Sequence, residues 1–389
     1  MTTSFSERLA RINPQGQVPK TDNHQSHPTQ DNASNTLESL RPWVWEDTPY
    51  GKARVYRACL GQKAPSSLPA LHTLVGDDRL QGFEMNQALY LDIEATGLSH
   101  GAGTLAFLIG MSFWKGDELW LEQIFVDSPA NEMACLSAFL KRLDMFPYLV
   151  SFNGKSYDLS VLQSRLVLNR LLSEDQSNIK LRPHLDLLHT ARQAYRDVFE
   201  NTRLQTLERE VLQLDPSVRA DDVPGSLVPA LYFHFLQTGL VSPLDGVLKH
   251  NHIDTTSLVS LTGHLLQLLR PGWENIHPQI LYNLGRAALR RKLYDRAIHL
   301  LEEALGCQDN RLSVDTRQIA LSLIVAYRRM GRSDKALNAA LTAQRLTPPS
   351  DSTEIERLNR QIHRFQKQVN RLAQTTTHPQ GLDRRPDDA

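Results

Sequence analysis

Two acidic residues, Asp92 and Glu94, lie one residue apart in the otherwise apolar stretch LYLDIEATGL, residues 89–98. In a β-strand, successive side chains alternate between the two faces, so both carboxylates point one way while Leu91 and Ile93 point the other. The pair could be the solvated face of an ordinary edge strand. It could also be half of a metal site, because it stands just before the turn TGLSHGAG, and functional groups collect on such loops.

A third acid, Asp158, follows the short apolar segment YLVSF and the turn NGKS. It stands at the beginning of a predicted helix, YDLSVLQSRLVLNRLL, where Asp is favoured as an N-cap that complements the helix dipole. The pair Asn153-Gly154 is likewise an ordinary turn signal. Taken alone, Asp158 is explained equally well as a structural residue and as a functional one.

A fourth acid, Asp254, falls on the apolar face of a predicted helix near the end of this region. The stripe that defines this face consists of Val247, Leu258, Leu261 and Leu265. His250 and Asp254 lie on the same stripe, one helical turn apart. A carboxylate on the core side of a helix is costly unless it is paired or binds a metal. A lone histidine on such a face is more often a hydrogen-bonded core residue, but Asp254 gives His250 a possible partner.

Four inward carboxylates with few cationic neighbours in their local segments would repel one another strongly. Divalent cations relieve such repulsion, and hard oxygen ligands select Mg²⁺ or Mn²⁺ over zinc. Two such ions about 4 Å apart can stabilise both the attacking and the leaving oxygen of an in-line phosphoryl displacement. The four acids therefore predict metal-assisted hydrolysis of phosphodiesters.

Taken in order, the motifs resemble those of the DEDD 3′–5′ exonucleases of the ribonuclease-H-like superfamily, and most closely the YprB-type branch of bacterial proteins. The first motif is DIEATG, the second is NGKSYD and the third is HNHID. The resemblance covers roughly residues 42–270, including GTLAFLIG, LVSFNGKSYDLSVLQSR and RLQTLEREVLQLDPSVRADDVPGSLVPALYFHFLQTG. The D-x-E pair alone is a weak signal, whereas the ordered set with these connecting phrases is specific.

The resemblance assigns roles to individual residues. It implies that two Mg²⁺ or Mn²⁺ ions are bound by Asp92, Glu94, Asp158 and Asp254. It also implies that the 3′-terminal nucleotide of a DNA or RNA substrate is lined by Thr96, Gly97, Leu98 and Asn153.

His250 is the candidate general base, although its spacing departs from the superfamily pattern. The residue that assists the attacking water there is a Tyr four residues before the last Asp, or a His five before it. Here the fourth residue before Asp254 is His250 and the fifth is Lys249. A neutral histidine, with a reference pKa of about 6.5, could accept a proton from the attacking water at neutral pH.

The elements that must position these residues alternate between strand and helix. ALYLDIEA, TLAFLIGMSFW and ELWLEQIFV predict an antiparallel meander, followed by a helix, a short strand and a second helix. HLDLLHTAR offers a fifth strand, and three further helical segments follow. The pattern predicts an α/β ribonuclease-H-like exonuclease domain over residues 89–270, with a mixed five-stranded sheet flanked by helices.

The segment HLDLLHTAR also contains His184, Asp186 and His189, which could suggest a second metal site. Strand alternation would place His184 and Asp186 on one face and His189 on the other. We therefore interpret these residues as a cluster at the end of a strand, with Asp186 as a candidate for lining the main site.

Residues 275–372 predict an all-α domain of tetratricopeptide-like (TPR-like) repeats. The segments ILYNLGRAALRRKLYDRAIHLLEEAL and IALSLIVAYRRMGRSDKALNAALTAQRLTP place large and small residues at the positions of paired helices. The equivalent Ala297 and Ala336 lie 39 residues apart, rather than about 34, and Ile324 stands where a small residue is usual. A plain helical bundle is the alternative. Because two imperfect repeats rarely stand alone, we expect this domain to pack on its neighbour or on the last helix.

Three remaining segments complete the predicted domain organisation. Residues 1–40 and 373–389 are predicted to be disordered, because their polar composition cannot bury enough apolar surface to offset the entropy of ordering. Residues 41–88 are predicted to be a folded N-terminal extension of the nuclease domain, without an assigned chemical role.

Composition limits the partners and the compartment. The 43 basic and 43 acidic side chains of the 389-residue chain cancel, so contact with nucleic acid must come from a local patch or from bound cations. The cysteines Cys59, Cys135 and Cys307 form no CxxC pair, which fits a reducing compartment and argues against structural zinc. No secretory signal is recognised, and no window approaches the roughly 18 apolar residues of a membrane span. The composition predicts a soluble cytoplasmic protein with no membrane partner.

Three functions are compatible with these features. The first is a metal-dependent 3′–5′ exonuclease whose TPR-like repeats recruit a protein partner or position the substrate. The second is a non-catalytic scaffold that binds nucleic acid, and the third is a structure-dependent endonuclease with the same site. The first is favoured over the second, because a module without catalysis has no reason to keep an inward Asp254.

Overall fold

A computed structural model describes residues 42–63, 75–97, 103–172, 178–268, 276–307 and 315–377. Leu98, the 1–40 segment and residues 378–389 of the tail lie outside these ranges. The strands are β1 Trp43–Thr48, β2 Gly51–Lys63, β3 Ala88–Ala95, β4 Ala106–Lys115, β5 Glu118–Phe125, β6 Tyr148–Ser151 and β7 His184–Asp186. The helices before the C-terminal region are α1 Glu132–Leu143, α2 Asp158–Leu168, α3 Leu187–Tyr195, α4 Leu204–Glu210, α5 Val228–Thr238 and α6 Asp245–Gln267.

The described strands form one mixed sheet in the order β1-β2-β5-β4-β3-β6-β7. The predicted meander is confirmed, since β3, β4 and β5 pair antiparallel, and β6 and β7 follow β3 in parallel. The prediction of five strands was wrong, because β1 and β2 come from the N-terminal extension. They join the sheet as β2 pairs with β5, and they bury Trp43, Ala53 and Val55.

The prediction for HLDLLHTAR was only partly correct. The strand β7 ends at Asp186, whose carboxylate accepts a hydrogen bond from the backbone N–H of Leu188 (3.1 Å) and so caps α3. His189 therefore lies on a helix, and strand alternation does not govern its position.

The C-terminal region is all-helical within the described residues. Its helices are α7 Pro278–Arg290, α8 Tyr294–Gly306, α9 Thr316–Arg329, α10 Ser333–Leu346 and α11 Ser352–Thr377. A Cβ added to Gly285 of α7 would lie 2.8 Å from Leu301 Cγ of α8, so these helices approach closely where glycine permits it. This arrangement is consistent with a TPR-like domain. The last helix extends to Thr377, beyond the boundary predicted at residue 372.

The helical region packs against the sheet domain through α7. The side-chain amide of Asn283 is buried and donates hydrogen bonds to the backbone oxygens of Ala194 (3.0 Å) and Arg196 (2.7 Å), at the end of α3. This contact agrees with the expectation that the repeats lean on their neighbour.

No helix among the described residues is both long enough and apolar enough to cross a membrane.

Candidate active site

The first two acids lie in the interior of the sheet. Asp92 and Glu94 are half-buried on one side of β3, whereas Leu91 and Ile93 are buried on the other. Because β3 is flanked by β4 and β6, these acids do not belong to an edge strand. Their common orientation follows from the strand alternation seen in the sequence.

The helix α6 crosses this side of the sheet through Asn251. The Asn251 amide nitrogen donates to Asp92 Oδ2 (2.9 Å), and its oxygen accepts from Gln123 Nε2 (2.8 Å). A Cβ at Gly110, the residue paired with Asp92 across β3 and β4, would lie only 2.0 Å from Asn251 Oδ1. β4 thus needs glycine at this position for α6 to approach the sheet. This approach brings the third motif, on α6, against the first motif, on β3.

Asp158 is the first residue of α2 rather than its N-cap. The cap position is Tyr157, which makes no side-chain capping hydrogen bond. The Asp158 side chain is buried, and this burial, together with the nearby charges of Asp186 and Asp254, raises its pKa from 3.8 to about 8. The simple capping explanation therefore does not account for this residue.

The turn before Asp158 is fixed by Asp186. Its carboxylate accepts hydrogen bonds from the backbone N–H groups of Asn153 (2.8 Å) and Lys155 (3.1 Å). Asn153 adopts a left-handed conformation, with φ of 66°, that Asn tolerates better than most residues. A Cβ at Gly154 would lie 2.7 Å from Asp158 Oδ2, so the glycine admits the carboxylate. Asp186 thus holds the backbone of the second motif in place through these hydrogen bonds.

His184 is buried and lies beside Ser151 of β6. Its ring Nε2 lies 2.8 Å from Ser151 Oγ, and burial lowers the pKa of the imidazole to about 3. Its neighbour Asp186 is engaged with the backbone N–H groups of the turn. The interpretation of this segment as a structural cluster at a strand end agrees with these contacts.

The four candidate carboxyl groups interact electrostatically. The pKa of Asp92 is raised well above its usual value by burial and by the charges of Asp254 and Asp158. The pKa of Glu94 is raised by burial and by Asp92, Asp254 and Asp158. Burial and mutual repulsion therefore make it unfavourable for these carboxyl groups to be ionised at the same time.

His250 and Asp254 lie side by side on α6, with His250 Nε2 3.4 Å from Asp254 Oδ2. The other ring nitrogen, Nδ1, lies against the carboxylate of Asp222 and 3.1 Å from Arg219 Nη1. Burial alone would lower the pKa of His250, but the carboxylates of Asp254, Asp222 and Asp92 outweigh it, and the pKa is raised. Asp222 fixes the ring orientation and leaves Nε2 directed toward the candidate carboxylates.

An arginine that the sequence reading did not single out completes this corner of the site. The Arg219 guanidinium contacts the Asp254 carboxylate and donates two hydrogen bonds of 2.6 Å to the buried Glu208. Its Nη1 also lies 3.2 Å from Asp222 Oδ2. Burial raises the pKa of Asp254, while His250 and Arg219 oppose that rise. Arg219 therefore partly neutralises one of the four acids.

Two of the residues expected to line the terminal nucleotide, Thr96 and Gly97, form hydrogen bonds at the loop after β3. Thr96 closes the start of the loop after β3, since its backbone N–H donates to the Leu105 oxygen and its hydroxyl accepts from the Leu105 N–H, both at 2.9 Å. The backbone oxygen of Gly97 accepts a hydrogen bond from the Tyr157 hydroxyl. Their role toward a nucleotide stays a prediction, and so does that of Leu98.

A cleft of about 500 Å³ opens beside these groups, and its lining includes Asp92, Asn153 and Asp254. Two exposed arginines, Arg192 and Arg203, line the same cleft. Acidic and basic side chains thus face one space. Such a space can hold an anion with its charge on the arginines while a reacting group faces the carboxylates.

The donor chemistry of the site fits hard divalent cations. Asp92, Glu94, Asp158 and Asp254 supply oxygen ligands, and their mutually raised pKa values reflect a repulsion that bound cations would relieve. As the side chains stand, no group of three or more His, Cys, Asp or Glu residues within the described ranges is close enough to hold a metal ion. The carboxylates that would bind such ions are therefore assigned by chemistry rather than by a closed coordination geometry.

Sequence reasoning did not single out Arg219, Glu208, Asn251 or Asp222 as residues of the site. Arg219, Asp222 and Glu208 belong to the phrases RADDVPG and LEREVL, whose separation in the chain hides their contacts. The sequence feature that could have pointed to these contacts is Asn251, an uncharged polar residue inside the HNHID motif. In the structure its side chain is fully buried.

Comparison with known proteins agrees with this arrangement. A family model described as the RNase_H superfamily matches residues 89–266, which run from β3 to α6. The uncharacterized protein YprB of Bacillus subtilis (strain 168) is 31% identical over 258 residues. The match covers 66% of this chain and 60% of YprB, so the chain spans less than two thirds of that relative's length. Residues 89–266 therefore form a ribonuclease-H-like domain of the YprB type.

Proposed function

We propose that this chain is a nuclease that hydrolyses phosphodiester bonds of DNA or RNA from the 3′ end. The observation that carries the proposal is the electrostatic coupling of Asp92, Glu94, Asp158 and Asp254 beside a cleft that also presents arginines. Carboxyl groups whose pKa values are raised by burial and by one another are typical of catalytic sites.

The four carboxylates are the groups that would hold two Mg²⁺ or Mn²⁺ ions. When bound, such ions neutralise the carboxylates and the charge that develops on the attacking and leaving oxygens of an in-line displacement. The protein's own part is to present the carboxylates from β3, α2 and α6 on one side of the sheet, and the contact of Asn251 with Asp92 and the Asn153–Gly154 turn support this arrangement.

His250 is proposed to accept the proton of the attacking water. Its Nε2 is directed toward Asp254, and Asp222 holds its Nδ1. The tautomer with its proton on Nδ1, donated to Asp222, keeps on Nε2 the lone pair that a general base needs.

The substrate phosphates are proposed to contact Arg192 and Arg203, which line the same cleft as Asp92 and Asp254. A guanidinium binds a phosphate through two parallel hydrogen bonds and keeps its charge at any physiological pH. The binding of a protein partner by the TPR-like region stays a prediction.

Linear and circular single-stranded substrates test the exonuclease proposal. With Mg²⁺, linear DNA or RNA labelled at the 3′ end should release a labelled mononucleotide first, and 5′-labelled copies should shorten progressively. Circular strands of the same sequence should remain intact. Cutting of the circles would identify an endonuclease instead. Binding without any cleavage in Mg²⁺ or Mn²⁺ would favour a non-catalytic scaffold.

A further inference from the structure

A second cleft, of about 340 Å³, lies between α3 and the first helix of the C-terminal region, α7. Its arginines are Arg192 and Arg196 from the α3 side and Arg286 and Arg290 from α7. Its other lining residues are His189, Gln193 and Asn283, so no acidic and no apolar side chain lines it. We call these four arginines the arginine groove.

The arginine groove carries charge that the protein does not neutralise. All four side chains are exposed, and none of them pairs with a carboxylate among the residues that the structure describes. The pKa of Arg290 is lowered by burial and by the neighbouring charges of Arg286 and Arg196, so these guanidinium groups repel one another. Four cations held together in this way form a local binding site for a polyanion.

The groove is built on a fixed frame. Asn283 of α7 is buried and binds the backbone oxygens of Ala194 and Arg196, which joins α7 to the end of α3. Arg286 and Arg290 are separated by one turn of α7, about 6 Å along the helix axis, and so project from the same face. The fold therefore fixes the backbone positions from which these arginines project.

The groove shares a lining residue with the cleft of the candidate active site. Because Arg192 lines both clefts, one strand of phosphates can contact the active-site cleft and the groove through this residue. An acidic peptide is a poorer match, because peptide-binding grooves anchor apolar side chains and this lining offers none.

We propose that the arginine groove binds the phosphate backbone of a single-stranded nucleic acid whose end lies in the candidate active site. This inference rests on the proposed nuclease function for the direction of the strand. It assigns to the first helix of the C-terminal region a contact with nucleic acid, in addition to any protein partner.

Binding of a labelled single-stranded oligonucleotide of about 20 nucleotides, measured in EDTA with the full chain, tests the groove without cleavage. Arg286→Ala/Arg290→Ala should weaken binding about tenfold and reduce the slope of log K against log salt by about 1.4, because each lost phosphate contact removes about 0.7. Arg286→Lys/Arg290→Lys, which keeps both charges, should retain most of the affinity. The matched control is Arg328→Ala/Arg329→Ala, two exposed arginines at the end of α9 that do not line the groove, and it should change affinity less than twofold.

Two results would overturn the groove. One is an Arg286→Ala/Arg290→Ala variant, folded by circular dichroism, that binds with the affinity and salt slope of the parent chain. The other is a polyglutamate peptide that binds more tightly than the oligonucleotide and is lost in the same variant, which would assign the groove to an acidic protein.

The nuclease function and the groove fail in distinguishable ways. If the parent chain binds through the groove but never cleaves in Mg²⁺ or Mn²⁺, the groove stands and the nuclease does not. If the parent chain cleaves, the groove variant should degrade the 20-nucleotide strand more slowly than the control, yet cleave a strand of about five nucleotides equally well. If the groove variant and the control degrade both lengths at equal rates, the binding role of the groove is contradicted and the nuclease function stands.

Discussion

Arg219 forms an ion pair with Asp254, so one of the four candidate metal ligands already has a cationic partner within the protein. The same guanidinium makes two hydrogen bonds of 2.6 Å to Glu208, whose side chain is only 4% exposed. Arg219 therefore joins the metal-ligand candidate on α6 to a buried acid on α4. It reduces the repulsion that Asp254 would otherwise add to the site.

Removal of this arginine should be costly, because it leaves Glu208 buried and unpaired. We expect Arg219→Ala to lower the free energy of unfolding by roughly 3 kcal/mol. The double variant Arg219→Ala/Glu208→Ala should lose clearly less than the sum of the two single changes. Urea unfolding of the three variants measures this coupling. Strictly additive losses would mean that the two side chains do not depend on each other.

Asp222 should control the pH dependence of catalysis through His250. A general base must be neutral, so activity rises as His250 loses its proton, and the acidic limb of kcat/KM reports its pKa. Asp222 raises that pKa, so Asp222→Asn should move the acidic limb to lower pH. It should also lower the maximal rate roughly tenfold, because the ring loses its orientation.

Asp221 provides the matched control for that experiment. Its side chain is 81% exposed and pairs with Lys249 at 3.4 Å rather than with His250. Asp221→Asn should leave the pH profile in place. If the acidic limb shifts equally in both variants, or in neither, Asp222 does not control the pH dependence through His250.

Asp158 makes the metal-free protein sensitive to pH. Its folded pKa of about 8 is above its ordinary value of 3.8, so the folded state binds the proton more tightly than the unfolded state does. The resulting contribution to stability is fully present below about pH 4 and is lost as the pH rises toward 8. In EDTA, Asp158→Asn should therefore be more stable than the parent chain by roughly 2–4 kcal/mol at pH 8 and nearly equal to it at pH 4.

Thermal or urea unfolding at several pH values measures this difference. Addition of Mg²⁺ should stabilise the parent chain and leave Asp158→Asn nearly unchanged, since binding to the folded state alone shifts stability. A difference between the two proteins that does not vary with pH would contradict the raised pKa of the buried Asp158 carboxyl group.

The parts of the site that follow a local period could be predicted from the sequence. Asp92 and Glu94 share a face because side chains in any strand alternate, and the neighbouring Leu91 and Ile93 are buried as that rule requires. His250 and Asp254 are neighbours because they stand one helical turn apart on α6.

The parts that depend on tertiary contacts could not be predicted. Arg219 reaches Asp254 across 35 positions of the chain, and no local pattern encodes such a contact. The strands β1 and β2 acquire their place only by pairing with β5, far along the chain, so the extension gave no sign of its role. His189 was misplaced because a hydrogen bond to Asp186 begins a helix after only three strand residues.

The most direct test of the central claim is the Mg²⁺ dependence of oligonucleotide cleavage in Asp92→Asn. Asp117→Asn is the matched control, because Asp117 is an exposed residue in the turn between β4 and β5. We predict that the parent chain and Asp117→Asn release nucleotides from the 3′ end as Mg²⁺ is added. Asp92→Asn should bind the same strand but lose at least 100-fold in rate at every Mg²⁺ concentration. Cleavage by Asp92→Asn at the rate of the parent chain would contradict the assignment of the four carboxylates as the catalytic site.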